Sequence, residues 1–176
     1  MTPVVSFVGN SGVGKTTFLE KLIREFKSRG FRVAAIKHDA HKFEIDYPGK
    51  DSWRLTQAGS DVTIISSRDK MALIESPGAE RSLTDIVDMV AGRVDIVLTE
   101  GYRGAAASKI EVSRRAHSHV LTARLDDLIA IVTDQAFDYQ VPQFGLDDAD
   151  HVADFLEARF TLRPQRPATG VPETRP

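Results

Sequence analysis

A chain of 176 residues, 41% hydrophobic and 27% charged, is large enough to bury one core as a single domain. The absence of cysteine excludes disulfide frameworks, thiol catalysis and thiolate metal sites, and fits a reducing compartment. Its 23 basic and 25 acidic side chains give a formal charge of −2 without the basic stripe that nucleic-acid binding requires.

The first element is Val4 to Val8, a β-branched and aromatic run that predicts a strand buried on both faces. It begins almost at once, so no signal peptide is expected before it. No apolar run nears the roughly 20 residues of a membrane helix, and the expected location is the cytoplasm. From Lys15 to Arg29, Phe18, Leu19, Leu22, Ile23 and Phe26 share one helical stripe, and Gly30 is placed to end the helix as a left-handed cap. Phe31 to Lys37 predicts a second strand, and the short strand-helix-strand unit implies that it pairs in parallel with the first.

His38 to Gly49 is polar and turn-rich and predicts a loop over the strand ends. Asp51 or Ser52 is expected to cap a short helix that runs through Gln57 and stops at Gly59. Asp61 to Ser67 and Lys70 to Glu75 predict a hairpin about Arg68 and Asp69. Ser82-Leu-Thr-Asp85 is a capping-box pattern opening a helix through Val90, before Gly92. Val94 to Glu100 is a further buried strand, and Gly101 to Ser108 a small-residue loop of the kind that moves. Lys109 to Val112 and Leu128 to Thr133 read as strands. A last helix begins at Asp147 or Asp148, with Val152, Phe155, Leu156 and Phe160 on its stripe. The alternation predicts a three-layer α/β domain over residues 1–162, mainly parallel with one hairpin. Residues 163–176, rich in Pro and Thr, predict a disordered tail.

Gly9-Asn10-Ser11-Gly12-Val13-Gly14-Lys15-Thr16 fits the phosphate-binding pattern G-x-x-x-x-G-K-[ST], between a strand and an amphipathic helix as that chemistry requires. The glycines let the backbone turn its N–H groups inward at the positive end of the helix, and Thr17 continues that start. Lys15 supplies a point charge to phosphate oxygens, and the Thr16 hydroxyl suits Mg²⁺. The magnesium needs an acidic partner at the end of a neighbouring buried strand. Glu100 stands there, whereas Asp95 lies at the other end of the same strand; a solvated strand-end charge is the bland reading of Glu100.

Asp39 follows the second strand and is a candidate to hold a magnesium-bound water or orient an attacking one. His38-Asp39-Ala40-His41 lacks a third strong ligand, which favours two loop histidines over a metal site. Arg103 either reaches the phosphates or a partner, or is a surface arginine. Asp134 ends a late strand and is a candidate reader of guanine N1–H and N2–H₂, without the usual Asn-Lys-x-Asp text; a simple turn cap is the alternative.

Beyond the loop Gly9–Thr16 come, in order, Ile36-Lys-His-Asp-Ala-His41, Pro48-Gly-Lys-Asp-Ser-Trp-Arg54 with Ala58-Gly59, Leu98-Thr-Glu-Gly-Tyr-Arg103, and Lys109-Ile-Glu-Val112. Together these blocks resemble the molybdopterin-guanine dinucleotide biosynthesis protein B (MobB) family of P-loop GTP-binding proteins, over residues 3 to 160. The resemblance implies a homodimer that binds GTP with Mg²⁺ and hydrolyses it weakly. It also implies assistance to the MobA-like guanylyltransferase that joins GMP to molybdopterin in molybdenum cofactor synthesis, with molybdopterin a further partner. Lys15 and Thr16 carry the phosphate and magnesium roles in that family, and Asp39 and Glu100 match acidic positions facing the nucleotide. Position 99 is Thr where the family usually has an aliphatic residue. A small-molecule kinase and a metallochaperone-type GTPase are the alternatives. The first needs a basic lid that Gly101 to Ser108 does not supply, and the second the Cys or His tract that this chain lacks.

Overall fold

Val4–Val8 (β1) lies between two parallel neighbours, Ile96–Glu100 (β5) and Ser108–Ser113 (β6). The computed structural model describes residues 1–39 and 43–164, and these fall into two compact units, one of residues 1–38 with 87–164 and one of residues 39 and 43–86. In the first unit Val33–Lys37 (β2), Leu128–Thr133 (β7) and Gln143–Phe144 (β8) complete an all-parallel six-stranded sheet of order β2-β5-β1-β6-β7-β8. The direct pairing of β1 with β2 expected from the sequence is therefore wrong, because β5 stands between them. Burial explains the order. Ile96 through Thr99 are wholly buried, whereas β2 exposes Ala35 and Lys37 and suits an edge. The two-residue β8 is too short to show a pattern in the sequence.

Lys15–Ser28 (α1) and Ala149–Phe160 (α4) cover one face of the sheet. Phe18, Leu22 and Phe26 of α1 and Val152 and Leu156 of α4 join Val5, Phe7, Ile96, Leu98, Ile110 and Val112 in one apolar core. Helix α1 ends as Gly30 predicts. With φ of 83°, Gly30 donates its N–H to Lys27 O, while Phe31 donates to Phe26 O. The Phe26 and Phe31 rings then meet edge to face, 5.4 Å between centroids, which completes a Schellman turn with its apolar contact.

The other face of the sheet is buried too, and it carries polar side chains. Ser6 accepts a 2.9 Å hydrogen bond from the Thr99 hydroxyl, both side chains being fully buried. Glu111 alternates with Ile110 and Val112, so its side chain points away from the apolar core. Both its carboxylate oxygens are engaged by the N–H groups of Thr122 and Ala123 and by the Thr122 hydroxyl, at 2.7–3.0 Å. Buried Lys109 donates to Ala105 O at 2.9 Å and pairs with Asp127 at 2.7 Å. Loop segments thus cover this face through paired polar groups, as buried charge requires.

In the second unit Val62–Ser66 (β3) and Met71–Glu75 (β4) form the expected antiparallel hairpin. Asp51–Gln57 (α2) packs against β3, with Thr56 and Thr63 hydroxyls 3.0 Å apart. Its N-cap is Lys50 without a side-chain bond, so neither Asp51 nor Ser52 caps it. The Ser82–Asp85 box does form: the Asp85 N–H meets the Ser82 hydroxyl, and the Ser82 N–H meets the Asp85 carboxylate, at the start of Leu83–Asp88 (α3). Asp148 precedes α4 but accepts from Gly145 N–H rather than from the helix. Of the predicted disordered tail, Gln165 and all that follows it lie outside the described residues.

Candidate nucleotide site

The loop between β1 and α1 is shaped by glycines where nothing else fits. Gly9 has φ of 135°, and a Cβ there would stand 2.2 Å from Val112 O. Gly14, the N-cap of α1, is left-handed at φ of 97°, and no side chain caps the helix. No acidic residue occupies the first turn of α1, so the helix presents its positive end without an anion of its own. Among the described residues, no amide from Asn10 to Thr17 donates a hydrogen bond outside the regular elements; the first is Phe18 N–H to Gly14 O. These groups are arranged as a cradle for an anion.

Lys15 folds back over the loop, its amino group 2.8 Å from Asn10 O and 3.3 Å from Gly9 O. Burial lowers its pKa from the ordinary lysine value, and the charges of Arg103 and Lys37 push the same way, opposed by Glu100. The Thr16 hydroxyl donates to Glu100 Oε2 at 2.7 Å. Two hard oxygens this close suit Mg²⁺, whose neighbouring ligands stand ~3.0 Å apart when bonds are ~2.1 Å at right angles. Glu100 is held by sheet register, paired with Phe7 on one side and Lys37 on the other. Arg103 reaches the loop and donates to Gly9 O. Lys15, Thr16, Glu100 and Arg103 therefore meet at the carboxyl ends of the central strands β1 and β5.

Other candidates fall elsewhere. Asp95 pairs with Arg32 at 2.8 Å at the opposite end of β5. Asp134 directly follows β7 and is exposed; its Oδ1 accepts from Arg115 N–H at 2.7 Å. Asp39 lies two residues past β2, at the first position of the second unit. Ala40 and His41 lie outside the described residues, among which no group of three His, Asp or Glu side chains could hold a metal.

Two residues escaped the sequence reading. Lys37 adds a third cation near Glu100. Arg114 donates its Nε to Val13 O at 2.9 Å from the loop after β6. The signal available was position: Ser113-Arg-Arg-Ala-His-Ser-His119 leaves the carboxyl end of a parallel strand, where ligands of such sheets bind.

A glycine-rich turn from the first strand into a helix, set in a parallel sheet with an acidic residue ending the adjacent strand, defines a P-loop NTPase fold. The family model of MobB, molybdopterin guanine dinucleotide synthesis protein B, matches residues 4–134, and the chain belongs to that family. It is 34% identical over 161 residues to the molybdopterin-guanine dinucleotide biosynthesis adapter protein of Escherichia coli K12, covering 89% of this chain and 92% of that protein. The adapter protein of the same description from Haemophilus influenzae is 32% identical over 156 residues, 88% of each chain. The crystal structure of Bacillus subtilis MobB superposes with a TM-score of 0.74 at 26% identity, covering 93% of this chain and 99% of that one. Among the described residues, no helix is long and apolar enough to cross a membrane.

Proposed function

We propose that this chain binds GTP with Mg²⁺ at Gly9–Thr17, hydrolyses it slowly, and serves in the cytoplasm as an adapter for molybdopterin guanine dinucleotide synthesis. The partner in this reading is the MobA-like guanylyltransferase, with molybdopterin itself as its substrate. The relatives' description as adapter proteins supports the pathway. The observation that carries the nucleotide site is the 2.7 Å Thr16–Glu100 contact beside an uncapped helix start and Lys15.

In this site the loop amides and Lys15 bind the β- and γ-phosphates, and Arg103 adds charge at Gly9. Thr16 and Glu100 hold the cation, which when bound neutralises phosphate charge. Glu100 and Asp39 are the carboxylates proposed for the hydrolytic step, Asp39 by orienting water. Asp134 reads guanine; among the described residues only its Oδ1 is engaged. Turnover is expected well below the ~1–100 s⁻¹ of kinases. A titration of GTP, ATP and their diphosphates, with and without Mg²⁺, against wild type, Thr16→Ala and Glu100→Gln tests the reading. GTP should bind tightest and depend on Mg²⁺, and both variants should blunt that dependence. Equal binding of ATP, or fast turnover by the isolated chain, would sink it.

A further inference from the structure

We infer that Arg114 is a positioning residue for phosphate binding: it fixes the Val13–Gly14 peptide so that the Gly14 amide faces the cradle. The inference rests on the nucleotide reading above and assigns a role to a loop that reading does not use.

A trans peptide points its C=O and N–H in opposite directions, and the described chain has no cis bonds. Holding Val13 O on the side of the loop after β6 therefore turns the Gly14 N–H to the opposite side. Arg114 holds it with Nε at 2.9 Å, and its guanidinium lies over Gly14, 3.5 Å from where a Cβ would project. Val13 is buried, so without Arg114 its carbonyl would lose a charged partner where water has little access. Arg103 anchors the first peptide of the loop by donating to Gly9 O, the carbonyl that Lys15 also reaches at 3.3 Å. Two arginines from two neighbouring loops thus brace the two ends of the cradle.

Arg114 is itself placed by its loop. The next N–H, of Arg115, is held by Asp134 at 2.7 Å, and Arg114 O accepts from the amides of His117 and Ser118. The far end is fastened by buried Glu111 through Thr122 and Ala123. Glu111 belongs to a strand hydrogen-bonded to β1, so the loop and the cradle share one rigid support.

The test compares full-length wild type, Arg114→Gln and Arg114→Lys in titrations with GTP, GDP and inorganic tripolyphosphate, alongside ¹⁵N–¹H spectra of the Gly14 amide. Arg114→Gln should weaken all three ligands by about tenfold, the low end for a hydrogen bond to a charged group. Arg114→Lys, which can still donate to Val13 O, should recover part of that loss. The Gly14 amide should move downfield on ligand binding in wild type and hardly at all in Arg114→Gln. Unchanged affinity overturns the inference. So does weakened binding in which the Gly14 amide moves as in wild type, which would make Arg114 a direct phosphate ligand. Wild type that binds tripolyphosphate but not GTP fails the GTP reading and leaves this test intact. Binding of neither ends both.

Discussion

Lys15 sits in the folded chain under opposition. Burial disfavours its charged form, and Arg103 and Lys37 repel it, so its pKa falls below the ordinary 10.5. The sign follows directly: between the lowered value and 10.5 the unfolded chain binds more protons than the folded one, and through this group stability rises with pH in that window. Below it the charged amine is held at a cost that a bound phosphate relieves. Lys15→Met should therefore melt at a higher temperature than wild type at neutral pH without ligand, yet fail to bind GTP. Thermal melts and a GTP titration check both halves, and retained tight binding would end the phosphate assignment. For Asp134 the expected outcome is a change of base: Asp134→Asn should weaken GTP and improve xanthosine triphosphate, whose extra carbonyl oxygen prefers an amide donor. The Asn carbonyl can still accept from Arg115 N–H, so a loss of fold is not expected. Competition among GTP, ATP and XTP decides, and no change in preference would remove Asp134 from base reading. Gly9–Thr16 and Glu100 were legible because a contiguous motif and a strand end carry their geometry locally. Arg114 was not, because it meets Val13 across 101 residues of sequence, through strands whose order the sequence does not state.

At the scale of elements, helical stripes and some end signals were legible because each is decided within one or two turns, whereas the cap expected at Asp51 or Ser52 does not form. The Gly30 turn and the Ser82–Asp85 box are both local hydrogen-bond arrangements, and both form. Strand order is decided elsewhere, by which strands can be buried on both sides, and so the adjacency of β1 and β2 was misjudged. Lys109, Glu111 and Ser113 alternate with Ile110 and Val112 along β6. They are buried because loops on that face satisfy them one by one. The packing of α1 against α4 also has a polar fastening. Arg29, just past α1, binds Glu25 of its own helix, Asp154 and Glu157 of α4, and the Asp150 carbonyl. These partners raise its pKa further above an already high value, so arginine stays charged at any accessible pH. Arg29→Met should leave two or three carboxylates crowded at the helix seam. With its side chain a quarter exposed, solvent screening reduces the loss to about 1–2 kcal/mol. Urea denaturation of wild type and variant measures it. A change under a few tenths would show the seam to be held by Phe26, Val152 and Leu156 alone.

The molecule as a whole has the candidate nucleotide site in one unit and an incompletely covered sheet in the other. Strands β3 and β4 make a ribbon of only two strands, which is marginal by itself in water. One face carries α2. On the other face Ile64 stands directly opposite Leu73, with Val62 and Met71 two residues away on the same side. All four are exposed, by 43–64%. An apolar stripe on a ribbon with open edges is a pairing surface, and a second copy of this chain meets it with an identical stripe under two-fold symmetry. The homodimer that the family resemblance implies is therefore expected to form through this hairpin. Sedimentation of the full chain should give twice its 19.4 kDa mass. Ile64→Lys with Met71→Lys should give monomers, since both changes put unpaired charge of one sign into the seam from each copy. The substituted side chains leave the solvent side of the ribbon and do not touch the Thr56–Thr63 contact with α2. GTP affinity should persist, because Lys15, Thr16 and Glu100 all belong to the other unit. Monomeric wild type would refute the dimer outright. A double variant that stays dimeric would move the interface off the hairpin, and a variant that loses both the dimer and GTP binding would show that pairing completes the site.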